Sequence, residues 1–73
     1  MIKKIRFIDS HYNTLFYIED GQSVTVTYKD GEEIIKPCRY IDDYHFYFGN
    51  NCYHICEFAE KMERINATYK PSN

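Results

Sequence analysis

Two Asp-Gly pairs ten residues apart, in "EDGQ" at 19–22 and "KDGE" at 29–32, most limit what this chain can fold into. A two-residue hairpin loop needs positive φ, which glycine adopts freely and aspartate tolerates, so each pair predicts a hairpin. With Asp20-Gly21 as the first loop, Tyr17 faces Val24 and Leu15 faces Val26. With Asp30-Gly31 as the second, Val26 faces Ile35 and Tyr28 faces Glu33. One face then gathers Leu15, Tyr17, Val24, Val26 and Ile35. The other carries the more polar mixture of Phe16, Ile18, Ser23, Thr25, Thr27, Ile34 and Lys36, as in an antiparallel sheet wetted on one side. Lys29 and Glu32 close the second turn as an opposite-charge pair.

The flanks extend this frame. "IKKIRFID" at 2–9 reads as a strand with Ile5 and Phe7 on one face, joined through the polar "SHYN" to "TLFYIE". Pro37 lacks a donor and is expected to end or edge the fourth strand. "YHFYF", then Gly49-Asn50-Asn51, then "CYHI" predicts another hairpin, with Tyr44, Phe46, Phe48, Tyr53 and Ile55 sharing a face. From Glu57 the period changes to that of a helix. Phe58, Met62 and Ile65 form its apolar stripe beside Ala59, Glu60 pairs with Arg64, and Asn66 supplies a left-handed stop. Pro71 blocks resumption, and Tyr69 folds back beside the helix. The expected class is α+β: a four-stranded antiparallel β-meander plus a further β-hairpin, closed by one C-terminal amphipathic α-helix, in a single domain spanning 1–73.

Composition then restricts function. At 73 residues the chain can bury only a small core, so activity must sit on its surface. With eight Tyr and five Phe, that core is built on a few bulky rings. The net charge of −2 and pI near 5.8 argue against nucleic acid held through phosphates, which needs a basic face. The one basic cluster, Lys3, Lys4 and Arg6, fits a solvated strand face. Three cysteines with no secretory leader pattern predict free thiols in a reducing cytoplasm. No apolar stretch approaches the ~18 residues of a membrane span.

Candidate chemistry is concentrated in "HFYFGNNCYHIC". Cys52, His54 and Cys56 share strand parity, and His45 falls on the same face of the facing strand, so these four could complete a tetrahedral zinc site. Ligands alternating along a strand lie ~7 Å apart, however, which suits zinc poorly beside the usual C-x2-C knuckle. No metal and no cofactor are expected. Cys56 at a helix start, with His54 or His45 as base, would be the nucleophile of an enzyme. Without an oxyanion-hole loop or a closed pocket, the expectation is that the protein is not an enzyme. Asp42-Asp43 and Glu32-Glu33 fall at turns or sheet edges, where neighbouring side chains diverge and form no acid/base dyad.

Tyrosine is the remaining signal. Tyr12, Tyr40 and Tyr47 have no clear apolar face to join. A hydroxylated ring offers contact area at low entropy cost, so these tyrosines with Asp42, Asp43, Glu32 and Glu33 form the expected partner surface. Short sheets with open edges also leave pairing with a second copy possible.

The stretch "CRYIDDYHFYFGNNCYHICEFAEKMERINATYKP" at 38–71 resembles the large polyvalent protein-associated domains, small modules of conjugative elements and phages in Gram-positive gut bacteria. The likeness rests on "YHFYFGN", "YHICEFAEKMER" and the closing "TYKP". It departs where that pattern has a helix-capping Asp and this chain has Cys56, which favours a cap at that position over a ligand. It departs again where Asn-Gly is replaced by Asn66-Ala67. The resemblance implies a setting: small acidic proteins of mobile elements often bind and block a host defence enzyme, as anti-CRISPR and antirestriction proteins do. The expected function is therefore a non-enzymatic protein-binding module, of the anti-defence inhibitor type directed at a host nuclease. The alternatives are a nucleic-acid-associated accessory module or a zinc-stabilised structural domain.

Overall fold

The computed structural model describes residues 3–72, so the predicted strand start at Ile2 lies outside the described residues. The chain forms β1 (Lys4–Ile8), β2 (Thr14–Glu19), β3 (Ser23–Thr27), β4 (Glu33–Asp42), β5 (His45–Phe48), β6 (Asn51–His54), α1 (Ile55–Arg64) and β7 (Thr68–Pro71). The class is α+β. Strands β1 and β2 make a two-stranded antiparallel sheet, and the others a five-stranded sheet in the order β6-β5-β4-β3-β7.

The expected meander is corrected at both Asp-Gly turns. Asp20-Gly21 does turn the chain, with Gln22 N–H donating to Glu19 O at 3.0 Å, but it carries the chain from one sheet into the other. Gly21 N–H donates to Cys38 O (2.8 Å) and Cys38 N–H to Gln22 O (2.9 Å), which docks the turn on β4. Strand β3 has two edges and both are taken, by β4 and β7, so β2 pairs with β1 instead. That choice buries the larger apolar set. Ile5 lies opposite Ile18 and Phe7 opposite Phe16, while Leu15 and Tyr17, predicted inward, point to solvent.

At the second turn the register differs by one residue. Val26 lies opposite Ile34, and Tyr28 N–H donates to Glu32 O (2.7 Å) around a three-residue loop, Lys29-Asp30-Gly31. Gly31, at φ 93°, takes the left-handed place that follows a tight turn in such loops. Because side chains alternate, the slip turns Ile34 inward and leaves Ile35 60% exposed. The ion pairs among the described residues are Arg39–Asp20 and His45–Asp42, so neither Lys29–Glu32 nor Glu60–Arg64 closes.

Pro37 neither ends nor edges its strand; it lies inside the ten-residue β4. There β4 changes partners, pairing with β3 up to Pro37 and with β5 from Cys38. The Pro37 carbonyl accepts from Gly49 N–H (2.9 Å) just past the end of β5, so the missing proline N–H falls where the β4 partner changes rather than within either ladder. The β5–β6 hairpin forms as expected, with Phe48 opposite Asn51, and it places Phe46, Phe48, Tyr53 and Ile55 on the core side. Tyr44 is the exception: it sits in the β4–β5 turn, 58% exposed.

The helix begins at Ile55, two residues before its expected start, and buries Ile55, Phe58, Ala59 and Met62. Ile65, the C-cap, is 39% exposed and only borders the core. Asn66 does take the left-handed conformation, at φ 56°. Its N–H donates to Glu63 O (3.1 Å) and that of Ala67 to Met62 O (2.9 Å), the paired bonds of a Schellman end. The reversal sends 68–71 back as β7 against β3, a strand the periodicity did not announce. Tyr69 on it does lie beside the helix, 5.2 Å from Phe58 between ring centroids.

Phe58 is the centre of the core. Phe7, Phe46, Phe48, Tyr53 and Tyr69 all bring ring centroids within 5.5 Å of its own. Replacement of Phe58 by Ala is expected to lower unfolding free energy by about 3–5 kcal/mol, read from the urea midpoint, with F58L losing less. A midpoint for F58A close to that of the unaltered protein would contradict this packing.

Candidate interaction surface

The β4–β5 turn is organised by Asp42. Its carboxylate accepts the Tyr44 backbone N–H at 2.8 Å and the His45 ring Nδ1 at 2.9 and 3.1 Å. These bonds, the Tyr44 amide first, hold the Asp42 carboxyl below its usual range. Asp43 accepts the Tyr40 hydroxyl at 2.8 Å, which raises the pKa of that phenol. One oxygen of Asp20 accepts both the Tyr40 backbone N–H (2.8 Å) and Arg39 Nε (3.1 Å), and the two donors lower the Asp20 pKa. The turn is thus tied to the strand behind it.

On the outward side of the hairpin, Tyr44 stacks on His54 with centroids 6.2 Å apart and planes 6° from parallel. His45 meets the same imidazole edge-on at 5.0 Å. Tyr47, 43% exposed, stands opposite Cys52 on the same face. Asp42, Asp43, Tyr44, His45 and Tyr47 therefore form one continuous polar-aromatic surface. Of the expected binding residues this gathers Asp42, Asp43 and Tyr47, with Tyr40 half-buried behind them as a positioning group.

Tyr12, Glu32 and Glu33 lie elsewhere. Tyr12 is in the β1–β2 turn, at φ 68°, where Asp9 Oδ1 accepts the N–H groups of His11 (2.8 Å) and Asn13 (2.9 Å). Glu32 and Glu33 stand at the start of β4, roughly 30 Å of extended strand from Asp42. Their local roles are structural: Asp30 Oδ1 accepts the Glu32 N–H (2.9 Å) and Glu33 accepts the Thr27 hydroxyl (3.2 Å). Sequence reasoning missed Tyr44. Tyr44 lies in the turn before β5 begins at His45, so the alternation that places Phe46 and Phe48 inward does not extend to it.

His45, Cys52, His54 and Cys56 do not converge. Among the described residues no group of three or more His, Cys, Asp or Glu could hold a metal ion. The reason is local. His54, extended at φ −75° and ψ 144°, is the helix N-cap: its Nδ1 accepts the Cys56 N–H (3.0 Å), while Glu57 Oε1 accepts the His54 N–H (3.0 Å). The position read as a cap, Cys56, is already in the first turn. His45 Nδ1 is engaged with the Asp42 carboxylate. Neither imidazole bonds a thiol. Cys52 is exposed, Cys56 half-buried, and burial pushes the Cys38 thiol up to about 12.

Among the described residues no helix is long and apolar enough to cross a membrane. No protein-family model matches the chain, and neither a curated protein nor a solved structure matches it.

Two outcomes test this geometry. H54A should cost about 1 kcal/mol by urea unfolding, whereas H54D, which can still cap, and C56A should each stay within about 0.5 kcal/mol of the parent. With a disulfide-exchange reagent at neutral pH, Cys52 and Cys56 should be modified in the folded protein and Cys38 only after denaturation. Fast labelling of Cys38, mapped by mass spectrometry, would be inconsistent with its burial.

Proposed function

We propose that this protein is a non-enzymatic binding module that engages a protein partner through the Asp42–Tyr47 surface. The observation that carries the reading is the pairing of fixed carboxylates with exposed tyrosines: Asp42 and Asp43 are held by hydrogen bonds beside Tyr44 and Tyr47. Rings with few rotatable bonds supply contact area at little entropy cost, and carboxylates already oriented lose little freedom on binding. Their charge selects a basic partner surface and speeds encounter with it.

A nuclease presents such a surface where it holds nucleic acid, because phosphate contacts require Lys and Arg. The resemblance to domains of mobile elements points the same way, to an anti-defence inhibitor that occupies a host nuclease. The reading through Lys3, Lys4 and Arg6 is weaker, since two of these cations have acidic neighbours: Lys4 lies opposite Glu19, and the charge of Lys3 helps lower the Asp20 pKa.

In a cleavage assay against a panel of Cas nucleases and restriction enzymes, the protein should slow at least one of them. D42N/D43N and Y44A/Y47A should then each raise the half-inhibitory concentration tenfold or more, with the D42N/D43N effect shrinking at high salt. No complex and no loss of cleavage across the panel would remove the anti-defence role. Inhibition untouched by both variants would remove this surface.

A further inference from the structure

A second site lies on the other side of the sheet, between its core face and the last turn of α1. A cleft of about 220 Å³ is floored there by Val26, Ile34, Phe48 and Met62. Lys36, Lys61, Tyr53, Asn50 and Asn51 stand at its rim, and no Asp or Glu is among its lining residues.

Lys36 is the unusual member. It pairs across the ladder with the fully buried Val24 and shares its side of the strand with Ile34 and Cys38, so alternation puts this lysine on the core side of β4. Its stem runs over the β5–β6 turn at Gly49, where a Cβ would come within 3.2 Å of the Lys36 Cδ. Glycine at that point lets an aliphatic stem cross the backbone and carry its ammonium to the rim.

Lys61 reaches the rim from the helix and donates to the Tyr53 hydroxyl at 2.9 Å. Among the described residues neither ammonium pairs with a carboxylate. The helix C-terminus does not absorb the Lys61 charge either, because Ile65, Asn66 and Ala67 N–H groups already satisfy the carbonyls of Lys61, Glu63 and Met62.

We infer that this cleft binds an organic carboxylate carried on a single aromatic or branched apolar group. The volume sets the body: an apolar cavity of roughly 150 Å³ suffices for one benzene ring, and small-molecule cofactors need more than this cleft provides. The rim sets the head. Two ammonium groups beside the Asn50 and Asn51 amides supply positive charge and N–H donors for a carboxylate. The acid could arrive as a free molecule or as the end of a peptide chain, and the test separates the two.

The probe is 3-phenylpropionate, followed by NMR through the Tyr53 ring and Met62 methyl resonances. The expected result is saturable binding with Kd on the order of 1 mM or tighter, and at least tenfold weaker binding of the neutral 3-phenylpropionamide. Lys36→Met keeps the stem and breaks no internal bond, so it should weaken the acid about tenfold without changing the amide, and Lys61→Met should do the same. A pentapeptide ending in Phe with a free carboxylate, compared with its C-terminal amide, identifies the source. Tighter binding than the free acid assigns a chain end, and weaker binding a free molecule. Equal binding of acid and amide, unmoved resonances, or unchanged affinity in both lysine variants would overturn the site. These readouts do not involve Asp42, Asp43, Tyr44 or Tyr47, so they fail or succeed independently of the nuclease assay.

Discussion

The contact of Phe58 with five surrounding aromatic rings is the interaction on which the architecture depends. Phe7 comes from the two-stranded sheet, and Phe46, Phe48, Tyr53 and Tyr69 from the five-stranded one, so a single helical side chain joins two sheets. A chain this short cannot stabilise itself with many aliphatic layers, and large rings bury the most area per residue fixed. The arrangement requires the helix to start at the right residue. The His54 cap and its reciprocal bond with Glu57 fix that start, and from it the 3.6-residue period turns Ile55, Phe58, Ala59 and Met62 inward together.

The other end of the helix decides the topology. The left-handed Asn66 reverses the chain, Ala67 packs into the core, and β7 reaches the free edge of β3. Once β7 occupies that edge, β2 has no place in the large sheet and its hairpin with β1 closes separately over the Phe7–Phe16 stack, 4.8 Å between centroids. A strand contributed by the last few residues therefore sets the partner of a strand near the beginning. No local signal at Asp20-Gly21 could carry that information.

What was legible follows from this. Segments governed by nearest neighbours were readable: the β5–β6 hairpin, the inward faces of β1 and β3, the apolar stripe of the helix and its asparagine stop. Segments governed by competition were not. Asp-Gly specifies a reversal but not its loop length, so Asp30-Gly31 closed a three-residue loop, and the one-residue slip exchanged Ile34 for Ile35. Pro37 reads as a strand end only if the strand keeps one partner throughout. The candidate surface divides in the same way: Asp42 and Asp43 were found as turn carboxylates and Tyr47 as a tyrosine with no apolar face to join, but Tyr44 was assigned inward because strand alternation was carried one residue past the start of β5. His54 was read as a possible metal ligand because strand parity does not show which ring nitrogen a neighbouring helix will use.

The fold also separates charge that the composition averages away. The net charge of −2 conceals an Asp42-Asp43 turn at one end of β4 and, toward its other half, the Lys36–Lys61 cleft on the opposite side of the sheet. Six residues of extended strand, roughly 20 Å, separate Lys36 from Asp42, beyond the ~8 Å over which salt at physiological strength screens exposed charges, so neither neutralises the other. Each keeps its own selectivity. The carboxylates are held by Tyr40, Tyr44 and His45, and Lys61 by Tyr53 beside the Lys36 stem that crosses Gly49, which connects both surfaces through the β5–β6 hairpin to the ring cluster around Phe58. Loosening that core should therefore blur both surfaces together, whereas a change at either rim should leave the opposite one intact.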